Sequence, residues 1–139
     1  MVGGGMNLSD VMDEIAARLG AIKGLRVFAY PADSLSPPAA AVLYPDGITF
    51  DETYGRGMDR LTLPVLLVVG KPTDRSTRDR IAQYCDGSGP ASVKAAVEAG
   101  DGAAFDTVRV TGVEFPTATI GGTEYMAAMF DLDIAGQGA

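Results

Sequence analysis

The sequence predicts a single α+β domain, with a mainly antiparallel sheet of about four to five strands packed against two to three helices. Three observations carry that expectation. Apolar residues recur at helical spacing near the N-terminus. Alternating apolar runs of strand length fill the centre and the end. The two kinds of segment follow one another as helix, strands, helices, strands, which suits helices on a sheet. The chain has 139 residues, enough for one ordinary core. The domain is expected over residues 7–134, between a flexible leader 1–6 and a flexible tail 135–139.

The first helix rests on Leu8, Val11, Met12, Ile15, Ala16 and Leu19, which share one stripe. Asn7 or Ser9 can cap it, and Gly20 or Gly24 ends it. Leu25 to Tyr30 is rich in β-branched and aromatic residues and reads as a strand closed by Pro31. Ser34 to Pro38 is a rigid loop. Ala40 to Tyr44 is a second short strand, followed by a turn at Pro45–Gly47. Ile48 and Phe50 alternate before a polar, glycine-punctuated segment.

Leu61 to Val69 is the strongest strand candidate. Leu61, Leu63, Val65, Leu67 and Val69 share one face. Leu66 and Val68 make the second face apolar towards its end, so the strand is expected to be covered on both sides there. Pro64 cannot donate a ladder hydrogen bond, which predicts a sheet edge or a bulge at that point.

"TDRSTRDRIAQYCD" reads as a helix capped by Thr73 or Asp74, with Ile81, Ala82 and Cys85 facing inward. "GSGP" breaks the chain, and Pro90 opens a short helix ending at Gly100, with Val93 and Val97 on its apolar side. Phe105–Phe115 and Thr123–Ile134 read as two strands. Gly121 and Gly122 between them predict an antiparallel hairpin.

Composition narrows the function classes. There is no histidine, which removes Ser-His-Asp and Cys-His sites and the commonest metal ligand. Cys85 is the sole cysteine, so no intrachain disulfide forms, and a reducing compartment is expected. It reads as a packed core thiol. The N-terminus has neither the basic region nor the apolar segment of a signal peptide. The apolar run Val65–Val69 is too short to cross a bilayer.

The net charge of −7 opposes tight DNA binding. It is unevenly placed. Arg56 to Arg80 carries six bases against three acids, whereas Ala95 to the end carries one base against seven acids. Either the surface is simply solvated, or the two regions are complementary surfaces on neighbouring copies.

Asp131 and Asp133 share a strand face and could hold Mg²⁺ or Ca²⁺, but a hard cation needs more ligands than two, and a solvated face is the plainer reading. Asp46, Asp51 and Glu52 lack the spacing of a calcium loop. "GRG" is not followed by the lysine of a phosphate loop, and "GSGPAS" is a loop between helices. No catalytic residue, cofactor or metal is assigned, and a structural or binding role is favoured over an enzyme.

At "ITFDETYGRGMDRLTLPVLLVVGKPTDRSTRDRIAQYCDGSGPASVKAAVE" the sequence resembles the tail-terminator and head–tail joining proteins of long-tailed actinobacterial phages. The segment Asp51–Gly57, the strand Leu61–Gly70 and the helix in "DGSGPASVKAAVE" carry the resemblance. It implies a non-enzymatic virion protein of α+β fold that closes into a ring, a hexamer by analogy, on the tail tube. Its implied partners are copies of itself, the major tail-tube protein and the head-completion connector, with DNA passing through the channel unread. A head-closure protein or a minor tail protein is the near alternative. A small cytoplasmic ligand-binding domain is the alternative from another class.

The residues expected at subunit contacts come from the charge pattern: Asp51, Glu52, Tyr54, Arg56, Arg60, Arg75, Arg78, Asp131 and Asp133. Asp51 to Arg60 is expected to act as an arm that orders on assembly.

Overall fold

A computed structural model describes residues 7–30, 38–49, 58–99, 105 and 107–137, with only the backbone of Thr49, Met58 and Gln137. Helix α1 runs Leu8–Leu19. The Asn7 side chain accepts the Asp10 N–H at 3.1 Å, so of the two candidate caps it is the one used. Val11, Met12, Ile15 and Leu19 are buried, and Gly20 ends the helix. Strands β1 (Arg26–Phe28), β2 (Ala39–Val42) and β3 (Ile48–Thr49) follow. Both β1 and β2 are shorter than the sequence suggests.

Strand β4 runs Met58–Gly70, α2 Arg75–Tyr84, α3 Val93–Glu98, β5 Thr107–Glu114, β6 Thr117–Ile120 and β7 Thr123–Gln137. The sheet order is β1-β2-β4-β7-β5, with β3 also on β4 and β6 also on β7. Among the described strands only β1–β2 is parallel. This is the α+β fold with a mainly antiparallel sheet that the patterning predicts.

Alternation on β4 sets the two faces. Leu61, Leu63, Val65, Leu67 and Val69 join Phe130, Leu132 and Ile134 of β7 and the buried stripes of α1 and α3 in one core. All three helices contribute to this core: Tyr84 from the end of α2 is part of it, with Ile81 and Cys85 packed against it. The other face carries Ala39, Ala41, Val68 and Ala127, all buried, and half-buried Leu66 and Met129; no described helix lies on it.

Pro64 corrects an expectation. β4 is an interior strand, and its register with β7 runs unbroken through Pro64↔Asp131; the shift on that side lies between Val68 and Gly70. The Pro64 carbonyl instead accepts from Leu43 N–H at 2.9 Å, so its donorless nitrogen faces β2. Without a return bond the β2–β4 ladder stops at Val42, and β3 resumes at Ile48↔Leu61, offset from the earlier register. The irregularity therefore sits in the neighbour, across Leu43–Gly47, and "PDG" is part of that excursion.

Three smaller differences have equally local causes. On α2 the buried positions are Thr77 and Tyr84, Ile81 and Cys85 are half-buried, and Ala82 is exposed. Positions 77, 81, 84 and 85 form one stripe, and Ala82 lies off it. Ser92, not Pro90, starts α3: its hydroxyl accepts the Ala95 N–H at 3.1 Å. The third concerns β7, which continues to Gln137, past the expected strand end at Ile134 and into the expected tail, because Met58–Arg60 of β4 supplies partners for Ala135–Gln137.

The final hairpin is longer than two simple strands. Glu114↔Met129 and Thr117↔Met126 belong to one register, and Ala127 N–H donates to the Pro116 carbonyl at 3.0 Å between them. So β5 and β6 are one strand, interrupted where Pro116 lacks a donor. Gly121 (φ 58°) and Gly122 (φ 81°) make the two-residue turn, in which both positions need positive φ.

Candidate functional site

Period-two alternation puts Asp131 and Asp133 on one face, as the sequence predicts, and that face carries no described helix. Arg60 joins them from β4, with its Nε 3.5 Å from Asp133 Oδ1. On the other side of β7, Arg109 is the register partner of Asp133. Asp133 thus lies between two arginine-bearing strands. Asp131 lies opposite Pro64 on β4, and its carbonyl accepts the Thr111 hydroxyl at 3.2 Å from β5. Asp46, Gly47, Arg60, Thr62, Pro64 and Asp131 line a cleft of about 640 Å³ at the interruption between β2 and β3. The Arg60–Asp133 pair is partly exposed, so its contribution to stability is small, about 0–1 kcal/mol.

Arg75 and Arg78 lie elsewhere. They are exposed on α2, across the sheet from Arg60. Arg78 stands 3.6 Å from the neighbouring Asp79, with both side chains mostly in water. Among the described residues the basic and acidic segments therefore touch within one chain. One base of the first segment meets one acid of the second inside the same chain, and the other described bases face away. Asp51, Glu52, Tyr54 and Arg56 lie outside the described residues, whereas Met58–Arg60, expected to belong to the arm, are instead part of β4 and paired with β7. Among the described residues no group of three or more His, Cys, Asp or Glu could hold a metal ion.

The chain matches no protein-family model and no curated protein.

Sequence reasoning missed two side chains that organise the helix face. Arg18 donates to Glu14 at 3.0 Å and to the Val97 carbonyl at 2.6 Å, and its guanidinium lies 4.8 Å over the Phe105 ring. It fastens the end of α1 to the end of α3 with a side chain only 8 % exposed. The Glu14–Arg18 spacing was the available signal. Glu98 is the second. It accepts from Lys94 at 2.7 and 2.8 Å and from the backbone N–H of Val110 at 2.9 Å. It closes the outer edge of β5 at that point. Burial pushes its carboxyl pKa up, but the Lys94 and Val110 hydrogen bonds and the charges of Lys94 and Arg109 outweigh that and leave it below the ordinary value.

Cys85 follows Tyr84 at the end of α2, half-buried against the core. Burial raises its thiol pKa, which keeps it in the unreactive protonated form at neutral pH.

Proposed function

We propose that the chain is a structural virion subunit that closes into a ring on the end of a phage tail tube, stops tube growth and presents a surface to the head. The observation that carries this reading is the inequality of the two sheet faces. Helices cover one face. The other carries no described helix: Ala39, Ala41, Val68 and Ala127 on it are buried within the chain, while half-buried Leu66 and Met129 lead to a charged, partly open end at Arg60, Asp131 and Asp133. The partly open strip, apolar at Leu66 and Met129 and charged at Arg60, Asp131 and Asp133, is suited to a neighbouring subunit. Ring closure requires heterologous contacts, and an acidic chain of net charge −7 suits a channel through which DNA slides without being held.

Native mass spectrometry tests the reading. A closed ring of fixed stoichiometry, formed alone or on tail tubes, is expected. A monomer at high concentration with tubes present would overturn it. A head-closure or minor tail protein is separated by electron microscopy of tails assembled without the chain: overlong tails mark a terminator, and tails of normal length that fail to join heads mark a connector. The cleft at Asp46, Arg60 and Asp131 favours a second reading, a small ligand-binding domain. A thermal shift with Mg²⁺, Ca²⁺ or nucleotides would favour that reading instead.

A further inference from the structure

Natural sheets blunt their edges with charge, proline or a covering element. Among the described residues the outer edge of the final hairpin is covered at one point. Glu98 takes the outward N–H of Val110, and the register of β5 then shifts between Val110 and Gly112. Beyond the shift, from Gly112 to the turn at Gly121, the strand has no described neighbour on its outer side. Pro116 does not protect it. Its carbonyl accepts from Ala127 on β7, so its donorless side faces inward. By the alternation of an antiparallel ladder, Val113, Phe115, Thr117 and Thr119 then turn their N–H and C=O groups outward.

We infer that this edge pairs with the same edge of a second copy, antiparallel about a two-fold axis at Pro116. Pro116 is the midpoint of the free stretch Gly112–Ile120. Pairing about it sets Val113 opposite Thr119 and Phe115 opposite Thr117, and every outward donor meets an acceptor. Pro116 faces its own counterpart at a position where no N–H is required. Charge fits this register as well. Glu114 meets Ala118, and the two copies of Glu114 stand about 13 Å apart along the strands. Phe115 is a large apolar side chain left 52 % exposed in the single chain. In this register the two copies of Phe115 become diagonal neighbours, within reach of aromatic contact. A two-fold contact of this kind closes on itself, so it is distinct from the heterologous contacts of a ring and does not rest on them.

Two experiments test the pairing. Sedimentation velocity from about 1 µM to about 1 mM should show a monomer–dimer equilibrium in the Met129→Glu chain, whose charge on the side of β7 without a described helix blocks ring contacts and leaves this edge untouched. In that background the F115K/T117K variant sets lysines opposite one another and should stay monomeric, and mixing it with F115E/T117E should restore a dimer.

Disulfide trapping reads the register directly. In a Cys85→Ser background, Pro116→Cys puts two thiols directly opposite at a close, non-hydrogen-bonded pair, and diamide should link it rapidly. Thr119→Cys in the same background should not link, because its counterpart lies about 20 Å along the strand. Pro116→Cys restores an inward N–H opposite Ala127, so the fold is retained. A Met129→Glu chain that is monomeric throughout would overturn the pairing. So would equal cross-linking of the two cysteine variants. A ring that forms while the Pro116→Cys chain fails to link would reject the pairing and leave the ring reading standing.

Discussion

Arg18 illustrates how much of this molecule is held by single side chains at joints. It is almost buried and bonded to Glu14 and to the Val97 carbonyl. Replacing it with Met keeps the aliphatic stem and removes the donors, leaving the Val97 carbonyl short of a partner. The expected loss is about 2–4 kcal/mol in urea unfolding, whereas Arg75→Ala on the exposed face of α2 should stay within about 0.5 kcal/mol. Gly70 marks another joint. A Cβ there would stand 2.6 Å from the Thr77 hydroxyl, which is buried where α2 meets the end of β4. Gly70→Ala should cost about 1–3 kcal/mol, and Thr77→Ala in the same chain should recover part of that in the same unfolding assay. Neither joint was legible beforehand. Glu14 and Arg18 announce a helical pair, but Val97 and Phe105 are distant in sequence, and nothing near Gly70 names Thr77 as its neighbour.

At the scale of elements, local pattern served well where both partners of an interaction lie close in the chain. The α1 stripe, the alternation of β4 and the Gly121–Gly122 turn all follow from period and turn chemistry. Pro64 was only half legible: a missing donor was certain, but the side it faces depends on β2, which pairs with β4 across a long stretch of chain. Pro64→Val restores that donor opposite Leu43. Stability should change by no more than about 1 kcal/mol, and the new amide at 64 should exchange slowly by NMR. A large loss would mean that β4 itself is kinked there.

The α3–β5 joint depends on pH. Glu98 is held below its ordinary pKa, so it binds a proton less readily folded than unfolded. Its stabilisation is therefore complete above the ordinary carboxylate range and is lost as pH falls through the folded value. Glu98→Gln should be less stable than the wild type at pH 7, and the difference should vanish well below about pH 4.

For the whole molecule, charge counted along the sequence does not say where each charge lies in space. The basic and acidic segments differ in sum, but folding brings Arg60 to Asp133 and leaves Arg75 and Arg78 on the far side of the sheet. What the period of β7 did disclose is that Asp131 and Asp133 share a face. What it could not disclose is that this face carries no described helix, since that depends on how α1, α2 and α3 distribute themselves over the sheet. The ring reading rests on the partly open strip of that face, from Leu66 and Met129 to Arg60, Asp131 and Asp133. Met129→Glu sets a charge on its apolar half, in a side chain that is only half-buried. It should abolish ring assembly at concentrations where the wild type assembles, while thermal unfolding shifts by no more than a few degrees. The measurement that bears most directly on the proposed role is tail-tube growth. The cognate tube protein is polymerised with and without the chain, and the products are viewed by electron microscopy. Tubes capped at one end by a ring, with capped ends that no longer elongate, are predicted. Tubes of unchanged length and bare ends at saturating chain would contradict the account.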